Sequence, residues 1–162
     1  GHLACVEYLV MKGAQVGATK EDGGTALMMA SKHGHVACVQ YLVTQGAKVG
    51  EAKADSRTAL MMASKRGHLA CVQYLVTQGA QGRKAKRGRG TALMSASKHG
   101  HLACVEYLVT QRAQGRKAKK EVRRALIVAS KQGHLFCVEY LVRHGAPAGH
   151  TKKDGCTALM SA

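Results

Sequence analysis

The dipeptide Gly-His begins at Gly1, Gly34, Gly67, Gly100 and Gly133, so the sequence recurs with an unbroken step of 33 residues. Cys5, Cys38, Cys71, Cys104 and Cys137 fall in the same phase, as do Tyr8, Tyr41, Tyr74, Tyr107 and Tyr140. A fixed period of this length marks a stacked array in which each unit contacts only its neighbours. The stretches Thr25–Ala47 and Thr58–Ala80 differ at two of 23 positions, His33 against Arg66 and Val36 against Leu69. Copies this close report shared origin, so repetition by itself does not mark a residue as functional.

Composition agrees with an array. One Phe, five Tyr and no Trp in 162 residues supply too little bulk for a single deep core, although 46% of the residues are apolar. No run approaches the roughly 18 apolar residues of a membrane span, and the first residues carry no cleavable signal pattern. The chain therefore reads as intracellular, in the cytoplasm or the nucleus. It begins with Gly and both ends fall inside a unit, which implies a monomeric piece of a longer chain. The period divides it into a partial unit 1–21, full units 22–54, 55–87, 88–120 and 121–153, and a partial unit 154–162.

Spacing and punctuation give the structure of one unit. In the stretch Ala26–Lys32, Leu27, Ala30 and Ser31 sit at i, i+3 and i+4, and Gly34 follows where a helix stops. From Val36 to Thr44 a second pattern places Cys38, Val39 and Leu42 on one stripe, with Gly46 as its stop. The two-residue link Gly34-His35 forces the two helices side by side and antiparallel. The segment from Ala47 to Arg57 is polar and carries Gly, which predicts an extended connection. Helices this short do not persist alone in water, because nucleation is costly, so the array is what folds.

Thr25-Ala26-Leu27-Met28 with Ala30-Ser31, Gly34-His35, Cys38-Val39, Leu42-Val43 and Gly46-Ala47 resembles the ankyrin repeat across the whole chain. The resemblance implies an all-α repeat solenoid of stacked helix-turn-helix units joined by extended or β-hairpin loops. It also implies a protein-interaction module that binds through hairpin tips and the exposed face of each first helix. Ala-Leu-Met stands where the family has Pro-Leu-His after the Thr, so the Pro that starts the first helix is missing and initiation is weaker. Lys48, Gly50 and Lys53, and then Gln81, Arg83 and Lys86, replace hairpin Asp and Asn, while Gly82 and Gly115 replace the Val seen at Val16 and Val49. These changes weaken the case for ordered hairpins at residues 81–90 and 114–123.

If Leu27, Ala30 and Ser31 face the stack, positions 29, 32 and 33 form the opposite stripe. That stripe and one tip residue make the candidate partner surface: Met29, Lys32, His33, Arg57, Met62, Lys65, Arg66, Lys98, His99, Lys131 and Gln132. The stripe varies where little else does, and neutral drift at exposed sites would produce the same variation. A second candidate is electrostatic. Between Gln81 and Arg124 there are 13 basic and two acidic residues, against eight and five in the first 80. Arg83, Lys84, Lys86, Arg87 and Arg89, then Arg116, Lys117, Lys119 and Lys120, would form a basic edge able to attract an acidic protein, an anionic membrane or nucleic acid. These loops hold no aromatic residue for base stacking, which argues against sequence-specific nucleic-acid reading. A solvated edge that only keeps the array soluble, or a nuclear-localisation patch, fits the same composition.

His and Cys recur three residues apart, as in His35/Cys38, but this lacks the paired Cys spacing of a structural zinc site. A buried small hydrophobe and a loop-tying imidazole account for the pair, so no metal or other cofactor is expected. Equal spacing sets the thiols in a ladder that dictates no disulfide pairs, which fits a reducing compartment, and the sixth, Cys156, is expected to be the exposed, reactive one. No Gly-x-Ser-x-Gly elbow, Walker-type loop or Gly-x-Gly-x-x-Gly fingerprint occurs, and the nine acidic residues are scattered. The chain is therefore not expected to be an enzyme.

Overall fold

The computed structural model describes residues 1–79, 91–111, 116–146 and 159, with the backbone alone for 116–118. Among these it contains nine helices: α1 (Leu3–Met11), α2 (Ala26–His33), α3 (Val36–Thr44), α4 (Ala59–Arg66), α5 (Leu69–Thr77), α6 (Ala92–Lys98), α7 (Leu102–Thr110), α8 (Arg116–Lys131) and α9 (Leu135–Arg143). The first helices of successive units, α2, α4, α6 and α8, pack side by side in one layer, and α1, α3, α5, α7 and α9 form a second layer behind them. First helices approach their neighbours more closely than second helices do. Ala59, Ala63, Ala92, Ala96, Ala125 and Ala129, all buried, let the first layer close up, whereas Val, Leu and Tyr hold the second layer apart. The stack is an all-α repeat solenoid with the first helices on its tighter side.

The first helices α2, α4 and α6 each begin at a side-chain cap, which makes up for the missing Pro. The hydroxyl of Thr25 accepts from the Met28 N–H at 3.2 Å, Thr58 from Met61 at 3.3 Å and Thr91 from Met94 at 3.4 Å. Between units the turn His locks the layers together. The Nε2–H of His68 donates to the Lys32 carbonyl at 3.1 Å, His101 to that of Lys65 at 3.0 Å and His134 to that of Lys98 at 3.1 Å. Each bond caps an orphan carbonyl at the end of the previous unit's first helix. The turn Gly is required twice: Gly67 has φ +75°, and a Cβ there would meet the Nδ1 of His101 at 2.5 Å.

The connections are extended with single bridges, Thr19 to Thr25 and Ala52 to Thr58, and no strand forms among the described residues. One expectation fails at α8. Instead of a loop or hairpin over residues 114–123, the helix starts at Arg116 and runs 16 residues. Arg124 stands where Thr25, Thr58 and Thr91 cap, and no Gly or Pro lies between Arg116 and Lys131, so nothing breaks the helix before it reaches Gly115. Arg116, Lys117, Lys119 and Lys120 therefore lie along a helix rather than a loop. Arg83, Lys84, Lys86, Arg87 and Arg89, the hairpin expected at 81–90, and Cys156 lie outside the described residues.

Gly67→Ala should cost about 2 kcal/mol of unfolding free energy, through the left-handed backbone and the His101 clash. His101→Ala alone should cost about 1 kcal/mol, the worth of one hydrogen bond. Urea titrations of both variants and the double variant check this: the double variant should recover part of the Gly67→Ala loss.

Candidate partner-binding groove

Short helices set side by side leave a depression where their last turns meet the extended connection. Here it encloses about 410 Å³ and is lined by Lys32 of α2, the tip Asp55-Ser56-Arg57, Met61, Met62, Lys65 and Arg66 of α4, and Ser95 of α6. Five of the residues expected at a partner surface, Lys32, Arg57, Met62, Lys65 and Arg66, are thus brought together from two units. His33, Lys98, His99, Lys131 and Gln132 are exposed at equivalent positions along the same layer but do not line this depression.

Met29 and Met62 correct the expectation of an exposed stripe. Met29 is half-buried, and Met62 is 6% exposed and packed into the core. Neighbouring first helices close over that position because they are small-residue helices, so only the side chains one turn later reach solvent. Met61 and Met62 instead form an apolar floor, and the cations stand around its edge.

The tip of the groove is built by its own sequence. The Asp55 carboxylate accepts from the Arg57 backbone N–H at 3.1 Å, closing the turn, and also accepts from the Arg57 Nε–H at 2.6 Å. The Arg57 guanidinium holds the Asp55 carboxyl below the usual carboxylate range and is itself raised by it. Ser56 between them has φ +66°, a conformation that its counterpart Gly23 adopts freely and that costs a non-glycine residue about 1 kcal/mol. In the preceding unit Asp22 closes the same turn, through the Gly24 N–H at 2.9 Å, but its other oxygen pairs with Lys53 in the following connection. Among the described residues no ion pair engages Lys32, Lys65 or Arg66.

Asp55, Ser56, Met61 and Ser95 were not among the expected site residues. The Asp-x-Arg spacing at 55–57 could have flagged Asp55, since an Asp two residues before an amide in a turn segment commonly closes it. Met61 shares the register of buried Met28, so its contribution to a surface depression follows only from tertiary geometry.

The His/Cys pairs separate as packing predicts: the turn His reaches a carbonyl in the neighbouring unit, while Cys38, Cys71, Cys104 and Cys137 are buried free thiols and Cys5 is exposed. Burial pushes the Cys71 and Cys137 thiols up and Cys104 up to about 11. No helix among the described residues is long and apolar enough to cross a membrane.

The family described as ankyrin repeats matches in three copies, over residues 1–86, 45–118 and 93–162. No curated protein matches the chain.

Alkylation of the native protein at neutral pH should modify Cys5 while leaving Cys38, Cys71, Cys104 and Cys137 unmodified until denaturant is added. Peptide mass mapping after a timed iodoacetamide pulse reads this out, and early labelling of Cys104 would contradict the stacked core.

Proposed function

Because the chain belongs to the ankyrin-repeat family, whose members are generally protein-protein interaction modules, we propose that it binds an acidic protein partner across the first-helix layer and hairpin tips. The observation that supports this best is the groove itself. Lys32, Lys65 and Arg66 surround an apolar Met floor, and the groove's one acid, Asp55, is already engaged by Arg57. Uncommitted cations beside desolvated apolar surface favour a ligand that carries both carboxylates and apolar side chains. Lys98, His99, Lys131 and Gln132 continue the same row into the next two units and would extend the contact.

The proposed role is binding without chemistry of its own. Asp55 is kept ionised by Arg57, which suits charge pairing rather than proton transfer. An intracellular, reducing setting is part of the proposal and is supported by the unpaired thiols Cys5, Cys38, Cys71, Cys104 and Cys137.

A second reading assigns polyanion binding to the basic edge. It is favoured by α8, whose first turn holds no acidic residue and whose Lys119, Lys120 and Arg124 are exposed. Cations at a helix N-terminus oppose the helix dipole, so an anion there would relieve them.

Two paired charge reversals separate the readings. Lys65→Glu with Arg66→Glu should weaken capture of a protein partner at least ~10-fold, and Lys84→Glu with Lys117→Glu should leave it nearly unchanged. A polyanion ligand reverses this ranking and gives log affinity falling linearly with log salt, by about 0.9 per phosphate contact on duplex DNA. Retained capture by the Lys65/Arg66 variant would overturn the groove as the binding surface.

A further inference from the structure

Two hairpin tips of this chain use the same Asp differently. At both, one carboxylate oxygen closes the turn by accepting a backbone N–H, from Gly24 at 2.9 Å and from Arg57 at 3.1 Å. At the first tip the second oxygen of Asp22 pairs with Lys53 and so joins that tip to the following connection. At the second tip the other oxygen of Asp55 turns back onto the Arg57 side chain within its own hairpin, at the mouth of the groove. Both partners of that pair remain substantially accessible, with side-chain exposures of 35% for Asp55 and 49% for Arg57. An accessible pair of this kind contributes little stability, and its geometry is not held by neighbouring units.

Arg57 presents a planar fork suited to a carboxylate, and the chain itself fills that fork. The groove beyond it offers a floor of Met61 and Met62, a flexible and polarisable surface that accommodates aliphatic side chains. Lys65 and Arg66 stand on the same rim with no ion pair of their own among the described residues. We propose that the groove takes a short acidic peptide segment with one aliphatic side chain over the Met floor, and that Asp55 is its built-in competitor: the peptide's carboxylate takes Arg57 from Asp55 on binding. This rests on the partner-binding reading above and adds to it the chemistry of the bound segment and an internal counter-ion that weakens its attachment.

Asp55→Asn isolates the idea. The Asn carbonyl still accepts the Arg57 N–H and keeps the turn, while the negative charge opposing the ligand is gone. Asp22→Asn is the control, since it removes the same charge from a tip whose pair lies outside the groove lining. The probe is a synthetic peptide, acetyl-Glu-Glu-Leu-Glu-Glu-amide, titrated against the full chain by fluorescence anisotropy, with far-UV dichroism to confirm that each variant is folded. Asp55→Asn should bind about three-fold more tightly than the parent chain, the order expected for release of one exposed ion pair, and Asp22→Asn should change affinity by less than about half of that. Replacing the peptide Leu by Gly should weaken binding about ten-fold.

Equal tightening by the two Asn variants would reduce the effect to net charge and overturn the competitor role, as would no tightening by Asp55→Asn. Indifference to the Leu replacement would overturn the aliphatic seat. A short oligonucleotide that binds where the peptide does not would overturn the peptide assignment. Loss of peptide binding in the Lys65→Glu, Arg66→Glu variant together with an inert Asp55→Asn would sink this inference alone, whereas peptide binding that survives those reversals would remove the groove reading beneath it.

Discussion

The structure depends on apolar cover supplied from one unit to the next, and the chain contains its own control for this. Leu9, Leu42, Leu75, Leu108 and Leu141 occupy one position of the repeat, yet Leu9 is 57% exposed while the others are 3%, 0%, 4% and 0% exposed. The residue is the same and the helices around it are closely similar, but α3, α5, α7 and α9 each lie against the first helix of their own unit, whereas α1 packs on α3. Cys5 against Cys38 repeats the contrast. Leu135 is exposed where Leu69 and Leu102, whose helices each pack against a following second helix, are half-buried. Full burial of one Leu side chain is worth about 2 kcal/mol, which is comparable with what a helix of nine residues lacks for stability in isolation.

The same stacking determines the shape of the binding face. Small buried side chains draw the first helices together and the turn His ties each to the next through a backbone carbonyl, so their last turns form a row. Lys32, Lys65, Lys98 and Lys131 stand on that row, and their position at helix C-termini is favourable to the helix dipole whether or not a partner is present. The Asp55-Ser56-Arg57 tip lines the groove that opens on this row. In the proposed reading, the partner is held where a connection meets a regular layer.

The period and the in-phase Gly-His turns made the architecture readable from the residues alone, and the second helix at Val36–Thr44 emerges with the expected bounds. Local spacing was less informative wherever neighbouring units intervene. A stripe drawn from 3.6-residue periodicity treats a helix as having two faces, but a first helix in this stack is contacted on both flanks as well as from behind, so Met62 is buried although it lies opposite Leu60 and Ser64 in the helical pattern. The long α8 was hidden for a different reason. Its causes are Arg124 in place of the capping Thr and the lack of Gly or Pro from Arg116 onward, and the 33-residue register invites the assumption that the unit would begin like its siblings. Asp55 was overlooked because a turn-closing Asp reads as structural; its second role depends on the side chain of Arg57, where the preceding unit has Gly24.

Native-state hydrogen exchange followed by mass spectrometry tests the central claim most directly, since it reports how strongly each helix is held by its neighbours. The account predicts a graded profile: amides of α4, α5 and α6 exchange slowest, those of α9 are intermediate, and those of α1, which buries no residue, exchange almost as freely as an unfolded peptide. Protection of α1 equal to that of α5 would contradict it, because the two helices differ in sequence only at Glu7 against Gln73 and Met11 against Thr77 and otherwise in their neighbours.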